Sequence, residues 1–379
     1  MTLKKDVVDW LTIVSHDANG GAEQTQKNII SYLCRNGKKC HVIILRRKDL
    51  GFWGDIEDKC KIVYFPFESH SVGYLFLFPY LLFLSTTMRF THVFSSQTLI
   101  NGIIGFYKRI GIFRNSKIIV RESTSIFQRN LSHFSRIKYL LAYKLGYPSV
   151  DLVICQTNFM KVDLVKRLPL LEKKVHVTVI PNPIDIENIE QRSMEKIPMT
   201  EVHEYIVTAG RLIPEKGYDI LIDSFAKIRS DLVGCKLYIL GRGAEKEKLQ
   251  NQVEHLGLKE SVIFMGLVDN VYPYFKNAKL CVVSSRVEGF PNVLLQMMSQ
   301  NENVATTLCA GGISEIPGIY TCEVEDHEAL AKTILHCHES DNSEKRQIFN
   351  RYLEKRGLDA FLKRVELELE EALSSSEHH

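Results

Sequence analysis

The sequence predicts an α/β protein built of two doubly wound, Rossmann-like domains. Short apolar runs alternate with amphipathic helical stretches along most of the chain, a pattern typical of parallel sheets covered by helices. The 379 residues exceed what a single hydrophobic core usually supports. The alternation restarts after Pro181-Asn182-Pro183, a segment that suits neither a helix nor a strand. We therefore expect an N-terminal domain over 1–183 and a C-terminal domain over 184–358.

The predicted elements follow from these runs in order. In the first half, the predicted strands are DWLTIVS, CHVIILRR, KIVYFP, HVFSS, KIIVRES and LVICQT, with helices at GAEQTQKNIISYLCRNG and FMKVDLVKRLPLL. In the second half, the predicted strands are EYIVTAG, KLYILG, SVIFMG, KLCVVSS and NENVATT, with helices over 218–230, 244–256, 292–299 and 327–339. A polar amphipathic stretch predicts a last helix over about 359–373, which we expect to pack back on the first domain.

Composition indicates a globular protein of the reducing cytosol. The apolar share is 45% and the charged share is 25%, both ordinary for soluble domains. The nine cysteines form no C-x-x-C pair, and several lie inside apolar runs, where a free cysteine acts as a small hydrophobic residue. Residues 1–9 have mixed charge and no apolar segment of the signal-peptide type. We expect a cytoplasmic protein.

Positive charge is concentrated in the first domain. The net charge is +3, yet over 1–183 Lys and Arg outnumber Asp and Glu about two to one. Between residues 89 and 148 the only acidic residue is Glu122. The basic residues of this segment are Arg89, Lys108, Arg109, Arg114, Lys117, Arg121, Arg129, Arg136, Lys138 and Lys144. The asymmetry predicts an anionic partner for this domain, and no nucleic-acid-binding motif accompanies it.

Glycines and fixed charges follow the predicted strands. Ligands of open α/β sheets bind at the carboxyl ends of the strands, so these positions are candidates for a site. Glycines let backbone N–H groups approach a phosphate, and guanidinium and ammonium groups suit diphosphate oxygens. The positions are Gly20-Gly21, Arg121-Glu122, Gly210-Arg211, Lys216, Gly241 and Glu288. The chain contains no Walker A sequence, H-E-x-x-H or G-x-S-x-G, and nothing with convincing metal-ligand spacing.

The segment SSRVEGFPNVLLQMMSQ, residues 284–300, combines a loop carboxylate with a buried-helix pattern. Glu288 lies before the predicted helix, and Gln296 lies inside it, eight residues further on. The runs GRLIPEKGYDILIDSF, LYILGRGAEKEKLQ, VIFMG, SSRVEGFPNVLLQMM and LCAGGI resemble, in order and spacing, the donor-binding half of GT4-type retaining glycosyltransferases of the GT-B fold. NGGAEQ and PNPID resemble the glycine loop and the interdomain junction of that family, whose bacterial members include enzymes of surface polysaccharide and O-antigen synthesis.

The resemblance implies a role for each donor-side residue. Arg211 and Lys216 match the pair that binds the donor diphosphate and stabilises the charge of the leaving nucleotide. Glu288 matches the first carboxylate of the E-x7-E motif, which accepts hydrogen bonds from the donor sugar. Gln296 stands at the second position, whose carboxylate usually holds the ribose hydroxyls. A glutamine keeps an acceptor oxygen but lacks the charge, so we expect retuned nucleotide binding. The other implied donor-binding positions are Gly20, Gly21, Gly241 and the backbone amides of Asn292 and Val293.

Arg121 and Glu122 are the expected acceptor-side residues. Glu122 is expected to orient or deprotonate the acceptor hydroxyl, or else to pair with Arg121 structurally. Related transferases often place a histidine near this point, and this chain does not. The same resemblance implies two domains that face each other across a cleft.

The implied reaction transfers a sugar from a nucleotide diphosphate to a hydroxyl of a glycan acceptor, with retention of anomeric configuration. The resemblance suggests front-face substitution, and it implies neither a metal nor a cofactor other than the nucleotide sugar, because Arg and Lys supply the charge. Three alternatives remain open at this stage. They are a GT-B-fold sugar-nucleotide epimerase, a phosphorylase, and a non-catalytic protein that binds sugar nucleotides.

A membrane carrying a polyprenyl-diphosphate-linked glycan is the expected location of the acceptor. YLFLFPYLLFL, residues 74–84, is too short to cross a bilayer, and we expect a buried helix there. FQRNLSHFSRIKYLLAYKLGY, residues 127–147, mixes aromatic and aliphatic residues with basic ones, as interfacial helices do. We expect peripheral binding to the cytoplasmic face of an anionic membrane.

Overall fold

The structure is a computed structural model that describes residues 5–18, 20–46, 51–124, 126–128, 131–197 and 204–376. The chain divides into two compact units. The first contains residues 1–183 and 358–379, and the second contains residues 184–357.

The first unit contains a seven-stranded parallel sheet. Its strands are β1 (Asp6–Val14), β2 (Cys40–Ile44), β3 (Lys61–Tyr64), β4 (Met88–Ser95), β5 (Lys117–Arg121), β6 (Leu152–Cys155) and β7 (His176–Val179). They lie in the order β3-β2-β1-β4-β5-β6-β7, which changes direction between β1 and β4. Loops that follow these two strands therefore diverge at the carboxyl edge, which is where doubly wound sheets bind ligands.

The helices of the first unit cover both faces of this sheet. They are α1 (Gly21–Arg35), α2 (His70–Thr87), α3 (Thr98–Arg109), α4 (His133–Leu145), α5 (Asn158–Arg167) and α6 (Pro169–Glu172). The single helix predicted at FMKVDLVKRLPLL is divided in two, because Pro169 cannot continue α5 and instead begins α6. Side chains of α2, α3 and α4 share one core, and side chains of α1 share the core on the other face.

Helix α2 corrects the expectation of a buried helix at residues 74–84. The segment is helical, but only one stripe of α2 is buried, and this stripe includes Leu77, Leu81 and Leu84. The opposite side is in solvent, with Leu75 73% exposed and Phe83 61% exposed. The sequence of α2 is apolar on all sides of the helix. It therefore has no polar face from which the solvent-exposed side could be predicted.

The second unit contains a six-stranded parallel sheet. Its strands are β8 (Tyr205–Ala209), β9 (Lys236–Leu240), β10 (Val262–Gly266), β11 (Leu280–Val283), β12 (Val304–Thr307) and β13 (Tyr320–Cys322). They lie in the order β10-β9-β8-β11-β12-β13, which changes direction between the direct neighbours β8 and β11. The carboxyl ends of these two strands are the expected place for a ligand in this unit.

The helices of the second unit lie on both faces of the sheet and close two separate cores. They are α7 (Ile186–Ser193), α8 (Tyr218–Ile228), α9 (Lys246–His255), α10 (Tyr272–Asn277), α11 (Asn292–Gln300), α12 (His327–Glu339) and α13 (Lys345–Glu354). Two such doubly wound units confirm the predicted fold class.

The last helix, α14 (Leu358–Ser376), belongs to the first unit. Its apolar side chains Phe361, Val365 and Leu369 join the core that contains Trp10 and Ile29. Within the part of the chain that the structure describes, no helix combines the length and the apolar character needed to cross a membrane.

Candidate functional site

The loop after β8 presents an exposed cation. Gly210 and Arg211 directly follow the strand, and Arg211 is exposed. Its guanidinium makes no hydrogen bond or ion pair with any residue that the structure describes. Gly217 ends this loop with a left-handed backbone (φ 61°), and a Cβ there would lie 2.2 Å from the Ser284 carbonyl oxygen. A glycine at 217 therefore lets the loop lie directly against the end of β11.

Lys216 and Glu288 lie in contact at the ends of β8 and β11. The Lys216 Nζ atom is 2.5 Å from Glu288 Oε1, and both side chains are largely buried. Ser285 Oγ donates to the same carboxylate oxygen at 3.0 Å. Two residues that are 72 positions apart in the sequence are thus brought together. This ammonium–carboxylate pair is the centre of the candidate site, and its charges match a phosphate on one side and sugar hydroxyls on the other.

Arg286 joins the loops that carry Lys216 and Glu288, and the sequence analysis does not identify it. Its Nη1 and Nη2 atoms each donate to Asp219 at 2.8 Å, its Nη1 also donates to the Pro214 carbonyl at 2.6 Å, and its Nε donates to Glu325 at 2.5 Å. Burial would raise the pKa of Asp219, but the hydrogen bonds and charge of Arg286 outweigh it and lower that pKa. Arg286 joins three segments that are distant in sequence, so no local pattern marks it.

Gly241 lets two neighbouring loops approach each other. It follows β9, and its N–H donates to the Gly266 carbonyl at 2.7 Å. A Cβ at this position would lie 1.8 Å from the Gly210 carbonyl oxygen. The loops after β8 and β9 can therefore pack backbone to backbone only with a glycine at 241.

Helix α11 begins at Asn292, as the sequence predicts, and Pro291 precedes it. The first backbone N–H groups of a helix have no acceptor within the helix and lie at the positive end of its dipole. Asn292 and Val293 contribute two of these groups. Gln296 lies one turn further on and is 9% exposed. The structure thus places the expected amides and the expected ribose-binding side chain on the first two turns of one helix.

In the first unit, Gly20 and Gly21 form the start of α1. Gly20 is the N-cap residue and has an extended backbone, and it caps the helix without a side chain. The carboxylate of Glu23 occupies the space beside it, 2.3 Å from where a Gly20 Cβ would be. The predicted glycine loop is therefore a helix N-terminus at the carboxyl end of β1.

Glu23 is a buried carboxylate that the sequence reasoning missed. It accepts hydrogen bonds from Ser15 Oγ at 3.3 Å and from the Gln97 side chain, and His16 Nε2 lies 3.6 Å away. Ser15 and His16 follow β1, and Gln97 follows β4. The sequence signal for this cluster is His16, a histidine that directly follows the predicted strand DWLTIVS. These four side chains form a second polar cluster, at the switch point of the first sheet.

Glu122 lies in the interior of the first unit rather than on its surface. It is 2% exposed. Its carboxylate accepts hydrogen bonds from the hydroxyls of Tyr143 at 2.7 Å, Thr98 at 3.1 Å and Tyr147, and from the Asn101 amide at 3.4 Å. Burial raises the pKa of Glu122 even though these donors favour the charged form. Its oxygens are engaged by side chains of α3, α4 and the turn that follows α4.

Arg121 is also buried, with 1% exposure. One guanidinium nitrogen donates to the Asn182 side chain. The Nε and Nη1 atoms have no acceptor among the described residues. Burial lowers the pKa of Arg121 to about 10, and the neighbouring Glu122 charge opposes this. The acceptor-side roles of Arg121 and Glu122 remain predictions.

The basic segment is partly on the outside of α4. Arg136, Lys138 and Lys144 are exposed on α4, and so is Phe134, which is 68% exposed. The Lys138 Nζ atom lies 4.5 Å from the centre of the Phe134 ring. Arg129 lies outside the described residues. The predicted mixture of aromatic and basic side chains is thus present on one helix surface.

One group of side chains has metal-ligand proximity among the described residues. The ligand atoms of His176, Glu368 and Glu371 lie within 4.8 Å of one another, where β7 meets α14. His176 Nε2 is 2.7 Å from Glu368, and Arg364 also pairs with that carboxylate. The existing partners of Glu368 account for its charge, and this group belongs to the first unit.

Two family models match the chain, one in each half. The model described as Glycosyltransferase Family 4 matches residues 19–188. The model described as Glycosyl transferases group 1 matches residues 203–340. The second match includes every donor-side residue of the second unit named above, and the first includes Gly20, Gly21, Arg121 and Glu122.

Curated relatives share this family over part of their length. The chain is 30% identical over 206 residues to an N-acetylgalactosamine-N,N'-diacetylbacillosaminyl-diphospho-undecaprenol 4-alpha-N-acetylgalactosaminyltransferase of Campylobacter jejuni, covering 54% of each chain. It is 31% identical over 234 residues to an uncharacterised glycosyltransferase of Methanocaldococcus jannaschii, covering 60% of this chain and 56% of the relative. The matched region spans about half the length of these relatives.

A solved structure shares the fold over nearly the full length of the chain. Anabaena HepE in complex with UDP superposes with a TM-score of 0.75 at 18% identity, covering 97% of this chain and 100% of that one. At this identity the likeness establishes the fold. Both halves of the chain match glycosyltransferase family models, and the fold agrees with that of the solved structure. The chain belongs to the GT4-type glycosyltransferases and has the GT-B fold.

Proposed function

We propose that the chain is a glycosyltransferase that moves a sugar from a nucleotide-diphosphate donor to a hydroxyl of a glycan acceptor. The observation that carries the proposal is the contact between Lys216 and Glu288, 2.5 Å apart, at the switch point of the second sheet. The exposed cation of Arg211 lies on the loop that leads to Lys216. Cations for a diphosphate and a carboxylate for a sugar are thereby provided by adjoining loops.

The proposed site binds the donor through its diphosphate and through its ribose. Arg211 and Lys216 bind the diphosphate oxygens, and the N-terminal amides of α11 add donors to the same anion. Gln296, on the second turn of α11, accepts a hydrogen bond from a ribose hydroxyl. Because the HepE structure contains UDP, a UDP-sugar is the first donor to test.

Donor binding rearranges the central ion pair. Without a ligand, Lys216 neutralises Glu288. A diphosphate takes over the ammonium group, and sugar hydroxyls then donate to Glu288. Ser285 keeps the carboxylate in place through its 3.0 Å hydrogen bond during this exchange. In the ligand-free protein, the ion pair thus holds Lys216 in position for the diphosphate and Glu288 in position for the sugar.

We propose a retaining transfer in which the protein supplies position and charge. The acceptor oxygen forms a bond to the anomeric carbon on the face from which the nucleotide departs, and the bond from that carbon to the diphosphate oxygen breaks. The acceptor proton passes to the departing phosphate oxygen. Arg211 and Lys216 stabilise the developing negative charge. Since they supply positive charge, we expect activity to survive chelation of divalent ions.

Lipid-linked glycans are the proposed acceptor class, and a membrane surface is the proposed location. The Campylobacter relative is named for a diphospho-undecaprenol substrate. Exposed apolar side chains on α2 and α4 can enter the interface of a bilayer. They are Leu75, Phe76, Phe78, Leu82 and Phe83 on α2, and Phe134, Ile137, Leu140, Leu141 and Leu145 on α4. Basic residues of α4 lie among them and favour an anionic lipid surface.

The function is tested by nucleotide release. The full chain is incubated with UDP-, GDP- or dTDP-sugars, with and without a polyprenyl-diphosphate-linked glycan. A transferase releases nucleotide in an acceptor-dependent manner and gives a product whose anomeric configuration, read by NMR, equals that of the donor. Product formed without acceptor indicates an epimerase, and binding without turnover indicates a non-catalytic protein. An inverted anomeric centre would disprove retention alone.

Membrane binding is tested separately with vesicles. The full chain should sediment with vesicles containing phosphatidylglycerol at low salt, and the double variant Leu75→Ser/Phe83→Ser should bind less. Lys227→Ser, on the exposed surface of α8, is the matched control. Absence of binding at low salt would contradict the membrane proposal and leave the donor site untouched.

A further inference from the structure

Three cysteines meet at the amino edge of the first sheet, the edge opposite to the one where Gly20 and Gly21 lie. Cys34 lies in the last turn of α1, Cys40 begins β2 and Cys60 directly precedes β3. His41 pairs with Lys61 in the parallel register of β2 and β3. The preceding residues, Cys40 and Cys60, are therefore neighbours across the two strands.

The thiol of Cys34 is the centre of this group. Cys34 and Cys60 both pack against the hydrophobic core cluster to which buried Cys40 belongs, and the thiols of Cys40 and Cys60 are the groups that most strongly shift the pKa of Cys34. Backbone carbonyls also help to fix the outer sulfurs, since Cys40 Sγ lies 3.7 Å from the Lys38 oxygen and Cys60 Sγ lies 3.4 Å from the Ile56 oxygen. Cys40 is buried, whereas Cys34 and Cys60 are partly exposed. A small oxidant can therefore approach Cys34 from solvent.

We propose that Cys34, Cys40 and Cys60 form a peroxide-sensitive site, in which Cys34 is oxidised and then forms a disulfide with Cys40 or Cys60. This thiol triad is independent of the proposed transferase reaction. It lies at the end of α1 opposite to Gly20 and Gly21. The other six cysteines of the chain are all buried.

The chemistry needs one peroxide molecule and no further reductant or oxidant. The Cys34 thiolate attacks an oxygen of hydrogen peroxide, the O–O bond breaks, and Cys34 sulfenic acid and hydroxide form. The thiol of Cys40 or Cys60 then attacks the Cys34 sulfur, and the S–O bond breaks with loss of water. Two thiols are oxidised to one disulfide, and the peroxide is reduced to water and hydroxide, which takes the remaining proton.

Local interactions favour the thiolate at the central position. The neighbouring thiols of Cys40 and Cys60 lower the pKa of Cys34 to about 4, with a further contribution from the Lys59 charge and against the effect of burial. The same contacts raise the pKa of each outer thiol. The nucleophile and the two resolving thiols are thereby distinguished, since the thiolate reacts with peroxide.

Mass spectrometry tests the proposal on the full chain. After mild hydrogen peroxide treatment, the intact mass should fall by about 2 Da, the two hydrogens lost in disulfide formation. Alkylation under denaturing conditions should then label two fewer than the nine thiols. Digestion should show Cys34 joined to Cys40 or Cys60. Cys235→Ser, a control in the second unit, should leave this result unchanged.

Two variants make the assignment of Cys34 decisive. Cys34→Ser should lose the crosslink, with circular dichroism showing that the fold is kept. Cys40→Ser/Cys60→Ser should keep a reactive Cys34 that dimedone labels after peroxide treatment, because no resolving thiol remains. Oxidation of Cys34 to a sulfonic acid in the wild type without any disulfide would overturn the proposal. An undiminished crosslink between Cys40 and Cys60 in Cys34→Ser would also overturn it.

Discussion

At the residue scale, the ion pair of Lys216 and Glu288 is the central feature of the candidate site. Each charged group is held in place by the other. A lysine and a glutamate with this degree of burial need partners, and each has the other at 2.5 Å. In the proposed function, Lys216 binds the donor diphosphate and Glu288 binds the donor sugar. The pair is therefore expected to matter more for turnover than for folding.

Removing either charge should abolish most of the activity. We expect Lys216→Gln and Glu288→Gln each to lower kcat/KM for transfer by at least about 100-fold, because each loses an electrostatic contact with the reacting donor. Lys227→Gln breaks an exposed ion pair with Glu328 and should leave the rate unchanged. Circular dichroism and the rate of nucleotide release are the measurements. A Glu288→Gln variant with wild-type turnover would show that the site lies elsewhere.

Gln296→Glu restores the carboxylate that is usual at this position of the family motif. Hydrogen bonds to a charged acceptor are stronger than neutral ones by about 1 kcal/mol, so nucleotide should bind roughly fivefold more tightly. Calorimetric titration with nucleotide measures the change. Gln300→Glu, at the end of the same helix, should have no effect. An unchanged Kd for Gln296→Glu would mean that this side chain does not face the ribose.

Glu122 should control the pH dependence of stability. Burial raises its pKa above the ordinary 4.5, so the folded protein keeps this proton to a higher pH than the unfolded chain does. The stabilising contribution of the proton is complete below pH 4.5 and is lost as the pH rises through the raised pKa.

Urea unfolding from pH 4.5 upward measures this effect. The free energy of unfolding of the wild type should fall with pH relative to that of Glu122→Gln, which cannot ionise. The exposed Glu172→Gln should give a curve parallel to the wild type. Parallel curves for Glu122→Gln as well would show that Glu122 is not held with a raised pKa.

At the scale of elements, the loop after β11 depends on Arg286. It joins this loop to Asp219 on α8, to the Pro214 carbonyl and to Glu325. Arg286→Ala leaves Asp219 half-buried without its charged partner, and we expect a loss of about 1–3 kcal/mol in the free energy of unfolding. Lys259→Ala, which removes an exposed pair with Glu254, should cost almost nothing. Equal stability of the two variants in urea titrations would contradict this role.

Helices and strands with a clear period can be predicted, and those without one cannot. The pattern of α12 and the onset of α11 are predicted correctly because apolar residues recur at helical spacing. Strands β7 (HVTV) and β13 (YTC) are absent from the prediction. Polar residues interrupt both, so neither is a continuous apolar run like the one by which β6 (LVIC), also of four residues, is predicted. The sequence of α2 predicts a buried helix because it has no polar face. Only the positions of its neighbours decide which side meets solvent.

At the scale of the whole molecule, local sequence could predict which residues follow the strands but not what they touch. The positions of Gly20, Arg211 and Glu288 after strands could be predicted because strand ends follow from the apolar runs. Arg286, Glu23 and the thiol triad depend on contacts between segments that are distant in sequence, and a single sequence carries no signal for these. The interior position of Glu122 has the same origin, since its four hydrogen-bond donors come from α3, α4 and the following turn.

The most direct test of the donor site is thermal unfolding of the full chain with a panel of UDP-, GDP- and dTDP-sugars. A ligand that binds only the folded state raises its stability by about 2.7 kcal/mol at 100 times Kd. We predict a saturable rise in Tm with one nucleotide class, and a much smaller rise for the folded variant Arg211→Ala/Lys216→Ala. No rise with any of these ligands, or an equal rise in the variant, would contradict a donor site at the ends of β8 and β11.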